Sequence, residues 1–282
     1  MSAAAPSDRA RSGPADFEAI LRSEGRRGRW LRWGRRGFWA VLLVVVLVAS
    51  LREAKVSPAD FWRRLPQLGE WLARLWPPDL TELWSSFLPA LWETLAIAVV
   101  GTALALAAAF PLAVCVARTT TPFPWLSPPL RAVLNVLRAI DTAVFALLFV
   151  AVVGLGPFAG VLGVAFHTTG SMAKLFAEAL ETVPTETLEA VEATGAGRLR
   201  TFAYAVLPEA MPGLAGITLY LWEFNVRASV ILGIVGAGGI GYELMVSVKL
   251  LDFPRLATIL LVILTAVTLI DAGSAWLRRR LG

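Results

Sequence analysis

Glu223 and Arg227 stand four residues apart in an otherwise apolar stretch, Leu221-Trp222-Glu223-Phe224-Asn225-Val226-Arg227. On a helix this spacing puts a carboxylate and a guanidinium on one face, where they can pair. Charge inside an apolar span is costly and normally faces a bundle interior or a wet cavity. Two readings stay open: a salt bridge that satisfies itself, or a polar lining, shared with Asn225, for the path of an anion. His167 is the one histidine and lies inside the uncharged run Thr142 to Ala173. It is either a second lining group or a packed imidazole. Arg138 and Asp141, three residues apart, are expected to pair locally, and Asp271 to face lipid headgroups. One His and one Cys (Cys115) exclude a multi-His metal site and an internal disulfide. No nucleophile–base set is evident. No P-loop of the form Gly, four residues, Gly-Lys-Ser/Thr occurs either, so ATP hydrolysis by this chain is not expected.

Gly236-Ala237-Gly238-Gly239-Ile240-Gly241 matches a dinucleotide-binding fingerprint letter for letter. That fingerprint has meaning only after a strand in a βαβ unit, and here it follows an apolar span. Gly236, Gly238, Gly239 and Gly241 are instead expected to form a sharp helix-breaking turn, or to let helices pack tightly or gate near a path.

The elements that must position these groups are long apolar runs. The chain has 282 residues, of which 57% are apolar and 17% charged, against about 25% charged in soluble domains. Thr94 to Ala117 carries no charge, and about 20 largely apolar residues suffice to cross a bilayer. Eleven Trp residues are present. Trp30, Trp33, Trp39, Trp84, Trp92 and Trp276 flank apolar runs, as interfacial indoles do.

Six spans are predicted, at roughly 37–51, 88–117, 130–153, 158–179, 210–235 and 254–277. The first follows a basic tail, residues 1–36, whose first 20 residues read as disordered. Residues 37–87 combine that first helix with a segment in which Phe61, Leu65, Leu68, Leu72 and Leu75 recur at helical spacing. This segment reads as one amphipathic helix on the outer membrane surface, ended by Pro77-Pro78. Residues 88–282 form the main membrane core, with a polar loop at 181–209. Nine Arg and no Lys fall in residues 1–36, and the chain closes on Arg278-Arg279-Arg280. Basic flanks stay in the cytoplasm, so both termini are placed there. A nucleic-acid role for the arginines is set aside, because a membrane anchor follows them directly. Counting along the fifth span at 1.5 Å per residue puts Arg227 about 25 Å from its cytoplasmic end, in the outer half.

The polar loop contains Glu189-Ala190-Val191-Glu192-Ala193-Thr194-Gly195-Ala196 and, in register, Val206-Leu207-Pro208. A short helix from Pro184 to Thr194, capped by Thr182 or Thr185, can break at Gly195. A second short helix can then stop before Pro208. The loop resembles the signature loop of bacterial ABC importer permeases, Glu-Ala-Ala, three residues, Gly, nine residues, an aliphatic, one more, Leu-Pro. Val191 and Ala205 are mild departures. The resemblance implies an all-α ABC importer permease fold in the bacterial inner membrane. It also implies that a knob carrying Glu189, Ala190, Glu192, Gly195, Ala196, Leu207 and Pro208 docks on a separate cytosolic ATPase subunit.

Trp222 to Arg227 and Val235 to Gly241, with His167, Lys174, Phe176, Ala177 and Glu178, are similar to phosphonate importer permeases over roughly residues 85–280. That family implies a homodimer, two ATP-binding cassette subunits and a periplasmic solute-binding protein. ATP and Mg would reside on the partner, with no cofactor in this chain. It also implies carriage of phosphonate, phosphite or a phosphate ester. An arginine in the path suits such an anion, since its guanidinium offers several donors to oxygen. A permease for another solute, such as an amino acid or sulfur oxyanion, is the same-class alternative. A lipid-acting membrane enzyme and a non-transporting scaffold are the alternatives of other classes.

Overall fold

The computed structural model describes residues 36–54 and 58–281. The expected disordered tail and the helix extension through Trp30 lie outside the described residues. Among the described residues every regular element is helical. The chain divides into two compact units, one ending at Leu68 and the other beginning at Gly69. In the first, residues 36–53 form α1, whose side chains, Phe38, Leu43 and Val44 included, are exposed. The amphipathic segment forms α2 (Pro58–Arg74), which stops ahead of Pro77-Pro78 as the turn residues predict.

The second unit holds α3 (Leu88–Val116), α4 (Ser127–Ala139), α5 (Thr142–Val153), α6 (Pro157–Glu181), α7 (Thr185–Glu192), α8 (Arg198–Thr201), α9 (Leu207–Ile234), α10 (Ile240–Leu250) and α11 (Phe253–Leu281). Three stretches among the described residues are long and apolar enough to cross a membrane: Leu83–Val116, Arg198–Ile234 and Phe253–Arg280. The bent pair α4 and α5 qualifies when taken as one broken span. α6 does not reach that hydropathy, and its place explains why. It is the central helix, packed against α3, α4, α5 and α9, so its Gly, Thr and His face protein, not lipid. The approaches around it are close. A Cβ on Gly163 would lie 2.9 Å from the Ala146 backbone nitrogen, and one on Gly101 would lie 2.6 Å from Val164. Small residues at such crossings let apolar helices gain dispersion contacts where lipid removes the hydrophobic drive.

The predicted third span is not one straight helix. α4 and α5 meet at 87°, with Ile140 and Asp141 in extended conformation between them. Asp141 caps α5 by accepting the Ala143 N–H at 2.8 Å. His167 Nδ1 lies 2.8 Å from the Ile140 carbonyl. A carbonyl only accepts, so this nitrogen carries the proton. The expected Arg138–Asp141 pair is therefore absent: Asp141 is occupied as a cap, and Arg138 donates to Asn135 Oδ1 at 3.2 Å.

Two Leu-Pro steps are carried inside helices by the same device. A proline lacks the N–H that would bond four residues back, and its ring crowds that carbonyl. Ahead of Pro208 the turn Phe202–Val206 widens to π geometry, and Leu207 N–H donates to Phe202. Ahead of Pro89 the turn Leu83–Phe87 does likewise, with Leu88 N–H donating to Leu83. The widening makes room for the ring without breaking the helix. The second knob helix therefore does not stop before Pro208, as the sequence had suggested. It runs on from Arg198 to Ile234.

α10 is a further departure, since the glycine-rich loop was expected to lead straight into the last span. Gly236, Gly238 and Gly239 take positive φ of 97°, 78° and 73°, which end α9 and re-aim the chain. Thr94 Oγ1 on α3 then accepts the Ile240 N–H at 2.9 Å, satisfying an open donor at the start of α10. Ile240 closes a small core with Phe87 and Ile259.

Candidate functional site

The signature loop folds as a knob at the end where α3 and α6 finish and α4 and α9 begin. α7 buries none of its residues. Glu189, Ala190, Glu192 and Gly195 are exposed, and Ala196 is half-buried. Helix α7 starts at Thr185, one residue later than expected, and no side chain caps it. Thr182 instead donates to the Ala179 carbonyl. Gly195 takes φ of +81° with nothing within 4 Å of a notional Cβ, so its role is conformational. The root of the knob is firm. Val183, Leu188, Phe202 and Leu207 pack on the main core. Glu181 accepts from Arg131 at 2.7 Å and from the Arg118 N–H at 2.8 Å, and Arg198 donates to the Thr121 carbonyl at 3.1 Å. Leu199 and Tyr204, 81% and 76% exposed, extend the surface with apolar area that no described residue covers.

Within the bundle the expected Glu223–Arg227 pair is not formed. Each residue pairs across to α11 instead. Arg278 donates to Glu223 at 2.6 Å, and Arg227 lies 3.7 Å from Asp271. Asp271 thus faces an arginine, not headgroups. Both acid–base pairs point the C-terminal half of α11 toward the knob end of α9. Asp271 precedes Arg278 by seven residues (278 − 271), about 10 Å at 1.5 Å per residue. Arg227 therefore belongs with the basic end of α11.

The two pairs differ in character. Glu223 is nearly buried, at 8% side-chain exposure, and tightly held. Arg227 is half exposed, and its distance is at the limit for a pair, so most of its donors stay available. Asn225 is fully buried. It accepts from Thr168 at 3.0 Å and donates to Thr102 at 2.8 Å, joining α3, α6 and α9. Its amide serves as a cross-link and does not line an open path. His167 holds the α4–α5 bend and stacks on Phe224 at 6.4 Å. None of His167, Glu223, Asn225 and Arg227 borders the polar cavity between α4 and α6. Asn225→Ala strands the buried Thr168 hydroxyl and removes a bond to Thr102, which keeps its bond to the Ala98 carbonyl, and stability is expected to fall by about 1–3 kcal/mol. A lowered melting temperature of the detergent-solubilised chain is the readout.

Sequence reading missed one polar knot at the other end. Arg255 bonds Glu243 at 2.6 Å and Glu82 at 3.0 Å, and lies 5.5 Å over the Phe87 ring. Its partners are scattered along the chain, so no local pattern reveals it. Beside it the Thr81 N–H, donating at 2.9 Å, holds the Asp79 carboxyl below the usual range, with Arg255 adding to the effect.

Comparison with known proteins agrees with this geometry. Residues 109–282 match the model of the binding-protein-dependent transport system inner membrane components. HtxC of Stutzerimonas stutzeri, provisionally named a phosphite transport system permease, is 47% identical over 239 residues, 85% of this chain and 84% of that one. The phosphite transport system permease PtxC of the same organism is 39% identical over 254 residues, covering 90% and 92% of the two chains. The phosphate-import permease PhnE of Mycolicibacterium smegmatis is 41% identical over 261 residues, 92% of this chain but 48% of its own length. Among solved structures, the inward-facing MetNI methionine ABC transporter superposes with a TM-score of 0.60 at 24% identity, over 70% of this chain and 96% of that one. By that family match and by its identity to full-length relatives, the chain belongs to the binding-protein-dependent transport system inner membrane components, a family of transport permeases.

Proposed function

We propose that the chain is the membrane-spanning subunit of an ATP-driven importer for a phosphorus oxyanion, a phosphonate, phosphite or phosphate ester. The observation that supports this most is identity of 39–47% over most of the chain to permeases named for phosphite transport. The same-class alternative, an amino acid, has weaker support, since the methionine permease MetI of Vibrio cholerae is 27% identical.

In this reading six spans, α1 included, put both basic ends in the cytoplasm. The knob at residues 181–209 docks on a separate ATP-binding cassette subunit, which binds ATP and Mg. Two copies of the chain form the path, and a periplasmic solute-binding protein delivers the anion. Closure of the ATPase pair pushes α7, and the unbroken helix from Arg198 to Ile234 carries the push past the α9–α11 ion pairs to the glycine turn. Reconstituted with its partners, the chain is expected to import phosphite only with ATP. ATP-dependent uptake of methionine with none of phosphite or methylphosphonate overturns the reading.

Arg227 is the residue we assign to the path, because it is the cation of α9 and keeps donors exposed beside a loose partner. Arg227→Gln is expected to slow uptake by roughly 10- to 150-fold, the effect of losing a charged hydrogen bond of roughly 1.5–3 kcal/mol. Adding Asp271→Asn removes the stranded carboxylate. Full recovery in that double variant means the arginine serves only its partner.

A further inference from the structure

α4 and α6 touch at Gly170, where a Cβ would lie 2.8 Å from the Arg138 nitrogen and 2.9 Å from the Leu134 carbonyl. Beside that crossing, toward the knob, lies a cavity of about 220 Å³. Its polar walls come from the same spacing on both helices. Arg131, Asn135 and Arg138 line it from α4, and Lys174, Glu178 and Glu181 from α6. Spacings of four and three residues put each trio on one helix face.

The charges do not cancel. Three cations face two carboxylates. Arg131 is committed to Glu181 at 2.7 Å. Lys174 is loosely held by Glu178 at 3.5 Å, and both are well exposed. Among the described residues Arg138 has only the neutral Asn135 oxygen, at 3.2 Å. A guanidinium with a neutral acceptor, next to a loosely paired ammonium, suits an incoming oxyanion. The arginine fork offers two parallel N–H donors and the lysine a point charge. Room is sufficient, since one water takes up only ~30 Å³ of liquid.

We propose that this cavity is a binding site for a small phosphorus oxyanion on the knob side of the bundle. Arg138 and Lys174 are its ligands, Asn135 orients the guanidinium, and the Arg131–Glu181 bridge forms its base. The choice of anion rests on the importer reading above. The location rests on the unbalanced charge alone. The same chemistry could come from the transported ion or from a lipid phosphate reaching in from the bilayer surface.

The test is titration of the purified full chain in detergent with sodium phosphite, followed by calorimetry or ³¹P line broadening. Saturable binding is expected. Arg138→Gln and Lys174→Gln should each weaken it by about tenfold or more, as loss of a charged donor does. Arg138→Lys, which keeps the charge without the fork, should fall between. Lys249→Gln on α10 should bind like the parent chain and serves as the folding control, together with melting curves of every variant. A second titration uses short-chain dihexanoyl phosphatidylglycerol. Phosphite binding without lipid competition assigns the site to the soluble ion. Lipid binding that depends on Arg138 assigns it to a headgroup. No saturable binding of either, or binding unchanged in both glutamine variants, overturns the proposal. Phosphite uptake by the assembled transporter is scored separately. Uptake without binding in the cavity removes the site and leaves the importer reading, and binding without uptake does the reverse.

Discussion

Gly241→Ala is expected to unfold the end of the bundle where α9 turns into α10. A Cβ at that position would lie 1.8 Å from the Val230 carbonyl oxygen and 3.0 Å from Gly233 Cα. Both neighbours are backbone, so no side chain can swing aside, and the two helices must separate. Gly233 meets the same surface from the other side, its notional Cβ 2.5 Å from the Gly238 carbonyl. Overpacking usually costs about 1–3 kcal/mol, and more where nothing yields. This site belongs to the upper end. The separation would also draw Ile240 away from Phe87 and Ile259. The measurement is the monodisperse fraction after detergent extraction, with a melting curve. Gly213→Ala is the control. It sits in a helix with nothing within 4 Å, and alanine there should be neutral or favourable by up to about 1 kcal/mol. A Gly241→Ala chain that melts like the parent would show that α9 and α10 are not packed this closely.

Gly195→Pro is expected to abolish uptake in the assembled transporter while leaving the membrane bundle folded. Proline fixes φ near −65°, and Gly195 needs +81°, so the elbow cannot form. The damage stays local because α7 buries none of its residues and nothing crowds Gly195. Gly195→Ala isolates the conformational cost. An L-residue in the left-handed region loses about 1–2 kcal/mol, so uptake should drop without vanishing. Glu189→Arg approaches the same surface by charge. Glu189 is exposed and its side chain holds up nothing in the fold, so a partner subunit is what would register the reversal. Uptake at the parent rate in both Gly195→Pro and Glu189→Arg would remove the coupling role from the knob.

Much of this architecture could be read from one-dimensional patterns. Helix ends at Leu88, Val116, Ile234 and Phe253 fall within a residue of the predicted spans 88–117, 210–235 and 254–277. The elbow at Gly195 follows from a glycine in a polar loop. Two features escaped although a local signal existed. Asp141 before Thr142 is a helix start, and weighing it as a cap would have placed the α4–α5 break. Wide turns ahead of Pro89 and Pro208 share the Leu-Pro step, which reads as a stop unless the bond five residues back is considered. Other features have no local signal. Glu223 and Arg227 look paired by spacing, yet α11 supplies a better partner to each, 55 and 44 residues further on (278 − 223 and 271 − 227). The Asn225 cross-link to Thr102 and Thr168, and the Arg255 knot, join helices whose order in the sequence says nothing of which faces meet.

The stretch from Arg198 to Ile234 is 37 residues of unbroken helix, about 55 Å at 1.5 Å per residue. It is pinned to α11 at Glu223, and a rod pinned part-way is a lever. Glu223 is 25 residues from Arg198 (223 − 198) and 11 from Ile234 (234 − 223), arms of about 38 and 16 Å. In the importer reading proposed above, motion at the knob arrives at the glycine turn reduced by somewhat more than half, and the force there rises in the same proportion. A large, soft movement on one side of the bundle becomes a short, strong one on the other. Moving the fulcrum by one helical turn, by relocating the Glu223–Arg278 pair, would change that gearing without touching either end.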